Sequence, residues 1–357
     1  MKKILLIGPY PPLYSHGGPT RSIYGLHKLF NNTGFICNVI SPNKNLNGSK
    51  IITHCEDSKV LFTNNFYSNF TCNTKKFDVV WFNSFFDFKL IYIIGLKFLF
   101  NFKLVVSPRG QLSKKAISTS NSFLKLIFIK IIGLFSNSIS FHSTSDHENN
   151  DINFFFKTYE VSLIPNLFSV NYNNNKSIKK NFLFYSRIHP KKGLLFLLET
   201  LLDNNISINL DIYGFIEDKH YWNKCQKIIS KLKNVRYKGE IKNGDISILR
   251  DQYTFYILPT LNENYGHVII ELLSLGIIPI ISKSTTPFDS LINEKIGLNF
   301  SLNSPLELSD VLNKTNQIDK DTLNVLKNSV YEIFTTLNKD QEAIKNDYIN
   351  FIKQLRK

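Results

Sequence analysis

One pattern occurs twice in this chain and constrains its fold most: short, continuously apolar runs separated by segments with helical spacing. Residues 3–7 form the first run and end in Gly8-Pro9; Ile23, Leu26 and Phe30 then recur at helical intervals. Further strands are predicted at 35–40, 77–82, 104–106, 138–141 and 161–164. Apolar strands spaced by helices belong in a parallel sheet covered on both faces. The rhythm stops at 166–180, where the polar run Asn173-Asn174-Asn175-Lys176 lacks periodicity and reads as an interdomain linker. A second series follows, with strands at 181–186, 206–212, 235–238, 255–258 and 277–281, and helices at 193–202 and 267–275. Residues 337–355 are predicted helical.

The fold class is therefore α/β, with two successive doubly wound halves. At 357 residues the chain has room for two domains, and 43% apolar content fills two cores, which excludes a disordered or disulfide-scaffold chain. The expected boundaries are 1–172 for a first Rossmann-like domain and 173–335 for a second, with a helix at 336–357 crossing back to the first. Ligands of such sheets sit outside the carboxyl ends of the strands, so two facing sheets direct the search to the cleft between them.

Composition also bears on partners and compartment. The net charge is +15, which calls for an anionic partner: nucleic acid, anionic lipid or a phosphorylated small molecule. Cys37, Cys55, Cys72 and Cys225 form no C-x-x-C pair and read as buried free thiols in a reducing cytosol. The first residues read as a buried strand and not a signal peptide, because the apolar run is short and Gly8-Pro9-Tyr10-Pro11-Pro12 follows. No uninterrupted apolar run reaches 18 residues. The apolar stretches 88–106 and 123–135 carry interspersed lysines, so they read as helices on a sheet or as segments lying on a membrane surface.

Five motifs fall at predicted strand ends. In Asn262-Glu263-Asn264-Tyr265-Gly266-His267-Val268-Ile269-Ile270-Glu271, two carboxylates flank a turn and a helix start. Backbone N–H groups there favour an anion, and the carboxylates can accept hydrogen bonds from a sugar and a ribose. Arg187-Ile188-His189-Pro190-Lys191-Lys192-Gly193 is a basic loop suited to a diphosphate leaving group. Gly17-Gly18 precedes a helix and lets backbone approach a phosphate; it is neither a Walker loop nor a dinucleotide fingerprint. Ser107-Pro108-Arg109-Gly110 places Arg109 at a strand end of the first half. His142 begins His142-Ser143-Thr144-Ser145-Asp146-His147-Glu148, in which Ser145 and Glu148 fit a capping box.

Together these residues resemble the retaining family 4 glycosyltransferases of GT-B fold. The resemblance runs from about residue 3 to residue 300. It rests on Glu263-x7-Glu271, the Asn262–Gly266 turn, Gly276-x-x-Pro279, Arg187 with Lys192-Gly193, Gly17-Gly18, Ser107–Gly110, Thr144-Ser145-x-x-Glu148 and Thr286-Pro287-Phe288. It implies that Arg187 and Lys192 hold a donor diphosphate and that Glu271 binds ribose. Glu263 and the backbone of Asn264, Tyr265 and Gly266 would bind the transferred sugar, His267 is a further donor-binding candidate, and Gly17 and Gly18 would approach the phosphates. Arg109 and His142 are acceptor-side candidates. No metal or other cofactor is expected. Ser186 departs from the Gly that usually precedes the arginine, and Phe215-Ile216 replaces a Gly- or Pro-rich turn.

The implied activity is retaining transfer of a hexose from a nucleotide-sugar to a glycan or lipid-linked glycan hydroxyl, in cell-surface polysaccharide assembly. The alternatives are a GT-B nucleotide-sugar epimerase and a basic nucleic-acid-binding protein. The last is disfavoured because the cations are mostly Lys spread over both halves, without a recognisable binding module. Residues 1–175 carry 18 Lys/Arg against 8 Asp/Glu, whereas 176–357 carry 25 against 20. That skew points to an anionic membrane surface as a partner of the first half, and to a cytoplasmic enzyme peripheral on the inner face of the cell membrane.

Overall fold

A computed structural model describes residues 2–11, 18–42, 49–55, 58–118, 121–156, 161–168, 170–241 and 245–355. The chain divides into two compact units, Met1–Phe168 with Gln341–Lys357, and Ser169–Asp340.

The first unit runs β1 (Lys3–Ile7), α1 (Gly18–Asn32), β2 (Ile36–Pro42), β3 (Ser49–Cys55), β4 (Ser58–Thr63), α2 (Phe66–Thr74) and β5 (Val79–Phe82). It continues through α3 (Phe88–Leu99), β6 (Lys103–Val106), α4 (Lys114–Ser118), α5 (Ser122–Gly133), β7 (Ile139–Ser143), α6 (Asp146–Phe155) and β8 (Val161–Leu163). The strand order is β3-β4-β2-β1-β5-β6-β7-β8. All pairings are parallel except β3 with β4, a hairpin that no continuous apolar run marks. Its polar start, Ser49-Lys50, suits the edge it occupies.

Alternation along the strands feeds two cores. Ile4, Leu6, Val79 and Trp81 face α1, while Leu5, Ile7, Val80 and Phe82 face α2, α3, α5 and α6. The first face is completed from the far end of the chain. The predicted C-terminal helix is in fact two: α12 (Lys320–Lys339) belongs to the second unit and α13 (Gln341–Gln354) to the first. Tyr348, Phe351 and Ile352 of α13 pack into the core around Trp81, and the Lys2 ammonium caps the helix end through the Ile352 and Leu355 carbonyls, at 2.6 and 2.5 Å.

The second unit runs β9 (Asn181–Tyr185), α7 (Leu194–Asp203), β10 (Asn209–Tyr213), α8 (Lys219–Ile229), β11 (Val235–Gly239), β12 (Phe255–Leu258), α9 (His267–Ser274) and β13 (Ile278–Ile281), then α10 (Asp289–Lys295), α11 (Pro305–Gln317) and α12. Its sheet is all parallel, in the order β11-β10-β9-β12-β13. Pro279 falls on the edge strand β13, where a missing N–H costs no ladder bond.

The polar stretch read as a linker is not a solvated tether. Asn175 is buried, its amide donates to the Tyr253 carbonyl at 2.7 Å, and Lys327 reaches the Asn175 and Ser177 carbonyls. Polarity there serves to satisfy backbone groups on the second unit. The thiols also differ in part from expectation. Cys37 and Cys225 are buried, Cys72 is exposed, and the Cys55 side chain lies outside the described residues.

The swap of α13 into the first unit carries a measurable consequence. Ile352→Ala should destabilise that unit by about 2–5 kcal/mol. In a Trp222→Phe background, Trp81 fluorescence should show a lower urea midpoint, while far-ultraviolet dichroism should show the second unit's transition unmoved.

Candidate active site

In the second unit the chain leaves β9 towards β10 on one side and returns to β12 on the other. Loops from these neighbours therefore diverge, and their carboxyl ends form the switch point where such sheets hold ligands. The loops after β9, β12 and β13 are stitched together there. The Lys191 carbonyl accepts from the Leu261 N–H at 2.8 Å and from the Thr260 hydroxyl at 3.1 Å. The Thr285 carbonyl accepts from the Glu263 N–H at 2.7 Å, and the Ser282 hydroxyl donates to the Thr260 carbonyl at 2.7 Å. Gly193 is required at this junction. Its φ is +69°, and a Cβ there would lie 1.8 Å from the Pro259 carbonyl oxygen.

This stitching brings Lys192 and Glu263 into an ion pair, their side chains only 13% and 14% exposed. A cation and a carboxylate thus meet at the switch point from loops 71 residues apart in sequence. Gly266, at φ +82° and ψ +48°, caps the start of α9, so Glu271 falls just over one turn into that helix. Asn264 and Tyr265 lie in the turn before it. The Tyr265 ring packs edge-on against His267 and Phe288, at 4.9 and 5.5 Å between centroids. The Thr286-Pro287-Phe288 turn therefore braces the Glu263–Gly266 turn.

Arg187 lies elsewhere on this edge. Its guanidinium makes two hydrogen bonds to Glu217, at 3.0 and 2.9 Å, in the loop after β10. That loop runs tight against the one after β9: a Cβ on Gly214 would lie 1.7 Å from the Ser186 carbonyl oxygen. The Arg187–Glu217 pair is solvent-exposed, so separating it costs little.

Tyr256 of β12 escaped the sequence reading because a tyrosine in an apolar strand looks like core. It is fully buried, and its hydroxyl has no hydrogen-bond partner among the described residues. Burial, and then the neighbouring Glu263 and Glu271 carboxylates, push that phenol well above its ordinary pKa. A buried O–H within the influence of two carboxylates is what marks it.

In the first unit the order reverses between β1 and β5. Gly8, at the end of β1, approaches so closely that a Cβ would meet the Ile23 Cδ1 at 2.3 Å. Gly18 begins α1, whereas Gly17 lies outside the described residues. Arg109, itself at φ +56°, donates to the Asn83 and Asn166 side-chain oxygens at 2.6 and 2.8 Å. Glu148 does not complete the expected capping box. The Ser145 hydroxyl does accept from the Glu148 N–H, but the Glu148 carboxylate takes the N–H groups of Gly110 and Thr144, at 2.7 and 2.9 Å. Arg109 and Glu148 thus hold the 107–112 loop in place.

His142 must be corrected as an acceptor-side candidate. It is fully buried. Its Nδ1 lies 2.8 Å from the Ser107 hydroxyl, and its Nε2 lies 3.0 Å from the Ile164 carbonyl and 3.1 Å from the Tyr348 hydroxyl. Both nitrogens are engaged inside the core, so no acceptor reaches them. Among the described residues no three His, Cys, Asp or Glu side chains converge as metal ligands.

Residues 170–329 match the family model described as glycosyl transferases group 1. The second unit is a group 1 glycosyltransferase domain. The switch-point residues Lys192, Glu263 and Glu271 lie within that matched segment, as does Arg187. Solved structures extend the likeness to the whole chain. Sucrose-phosphate synthase from Thermosynechococcus elongatus covers 99% of each chain at 16% identity and a TM-score of 0.79. Anabaena HepE, solved with UDP and glucose, covers 99% of this chain and 100% of its own at 13% identity and a TM-score of 0.75. Trehalose-6-phosphate synthase OtsA covers 100% of both at 10% identity and a TM-score of 0.73. The fold is thereby GT-B. No curated protein matches the chain by sequence.

Burial, and then the charge of Arg109, hold the His142 imidazole well below its ordinary pKa. The folded state therefore keeps it neutral, while the unfolded chain takes up a proton as pH falls through about 6.5. Stability from this group is full above that value and is lost as pH falls towards 5, by at most about 1.4 kcal/mol per pH unit. His142→Gln should flatten the pH dependence of the first unit's urea midpoint across this window.

Proposed function

We propose that the protein is a retaining, metal-independent hexosyltransferase that moves a sugar from a nucleotide-sugar to a hydroxyl of a glycan or lipid-linked glycan. The observation that carries this reading is the Lys192–Glu263 pair at the switch point of a group 1 glycosyltransferase domain.

Lys192 is the diphosphate-holding cation. When the donor binds, its phosphate oxygens replace Glu263 as the partner of the ammonium, and Glu263 is released to accept hydrogen bonds from the sugar hydroxyls. The start of α9 adds backbone N–H groups and a positive dipole end next to the same anion. Glu271, one turn further, accepts from the ribose hydroxyls. Arg187 leaves its exposed pairing with Glu217 to take a second phosphate oxygen. These cations do the work a metal would otherwise do: they stabilise the charge that grows on the leaving diphosphate.

In the transfer step, the bond from the anomeric carbon to the phosphate oxygen breaks. The acceptor oxygen forms its bond on the same face, and its proton passes to the departing phosphate oxygen. Glu263 positions the sugar and is not a nucleophile. A role in cell-surface polysaccharide assembly is supported by the resemblance to family 4 enzymes. UDP-glucose heads the donor candidates because HepE was solved with UDP and glucose.

Melting temperature against UDP-, GDP- and ADP-sugars tests the assignment, since a ligand of the native state raises it by linkage. One donor class should stabilise the wild type. Lys192→Gln combined with Glu263→Gln, which leaves no unpaired buried charge, should abolish that shift, as should Glu271→Ala. Turnover should fall about 10²-fold or more. Retention of the full shift and rate in both variants would overturn the site.

A further inference from the structure

We infer that the outer side of α3 and α5 docks on an anionic lipid bilayer. This goes beyond the donor site and does not rest on it, because vesicle binding needs no nucleotide-sugar.

Both helices bury their inward side chains in the core on one face of the first unit's sheet: Leu90, Ile93 and Ile94 from α3, and Phe128, Ile129 and Ile132 from α5. They lie side by side and parallel, since Phe88 meets Phe128 at one end and Phe98 meets Phe135 at the other, at 6.0 and 5.8 Å. Their outward side chains therefore share one side of the molecule. That side is apolar to an unusual degree. Phe88, Phe98 and Leu99 are 76%, 65% and 73% exposed, and Phe123, Leu124 and Leu134 are 73%, 62% and 81% exposed. A soluble face normally scatters such residues singly. No helix among the described residues is long and apolar enough to cross a membrane, so contact of this face with a bilayer is contact along its surface.

Charge selects the occupant. Residues 88–135 contain eight Lys or Arg and no Asp or Glu. Lys130 is exposed between Phe123 and Leu134, and Lys97 sits next to Phe98 and Leu99. Burial and then the charge of Lys103 hold Lys97 below its ordinary pKa, and phosphate headgroups would offset the second of these causes. Exposed apolar side chains interspersed with Lys97 and Lys130 match the acyl and headgroup layers of an anionic leaflet. A second copy of the chain fits poorly, because a two-fold contact would press two segments of this charge together.

Co-sedimentation of the full chain with vesicles of phosphatidylglycerol and phosphatidylcholine, against phosphatidylcholine alone, tests this. Binding should require phosphatidylglycerol and weaken as salt rises to about 0.5 M. Phe123→Ser with Leu134→Ser should weaken it about tenfold or more. Leu306→Ser, an exposed apolar residue of the second unit, should leave it unchanged. Equal binding to both vesicle types, or binding unaffected by the double substitution, would overturn the proposal. So would lipid-free dimerisation that the double substitution abolishes, which would assign the face to a second copy.

Discussion

Parallel strand pairing determines where this protein can do chemistry. In a parallel sheet every strand ends on the same edge, so every loop that follows a strand is delivered to one side. In the second unit the direction of winding changes between β9 and β12, and two loops separate there. Lys192 comes from one and Glu263 from the other. Neither strand carries these residues; the strands only aim the loops. The glycines then remove what would keep the loops apart, as the Gly193 approach to Pro259 shows.

The pair at that point is costly to hold and therefore informative. A cation and a carboxylate that are both largely withdrawn from water lose hydration, and their mutual attraction repays it only in part. A structural role could be filled by two apolar side chains of similar size at less cost. An anionic ligand changes the balance, because it supplies Lys192 with a better partner and leaves Glu263 free to accept hydroxyl groups. Tyr256 is buried near the same carboxylates, and its hydroxyl has no hydrogen-bond partner among the described residues. Such a group has something to gain when Glu263 changes partners.

Much of the fold was legible in the apolar runs, because a strand buried on both faces must be apolar throughout. The strands β1 and β12 follow the apolar runs residue for residue. The hairpin β3–β4 was not legible, since an edge strand needs no continuous apolarity. Nor was the break between α12 and α13, where one helical pattern spans two units and only packing decides which core receives each part. At the site, Glu263 and Lys192 were visible as residue types in loops at predicted strand ends. The partner of Arg187 was not visible, because Glu217 lies in a turn without a motif. His142 misled for the opposite reason: a histidine near a strand end attracts a functional reading, and only its burial against Ser107, Ile164 and Tyr348 shows that it serves the core.

Donor binding rests on an exchange of partners at Lys192. A crystal structure of the chain with a bound nucleoside diphosphate tests it most directly. A phosphate oxygen should lie within hydrogen-bond distance of the Lys192 ammonium, with the ribose hydroxyls on Glu271 and Glu263 released from the ion pair. A nucleotide bound with Lys192 and Glu263 still paired, and its phosphates held by other groups, would contradict it.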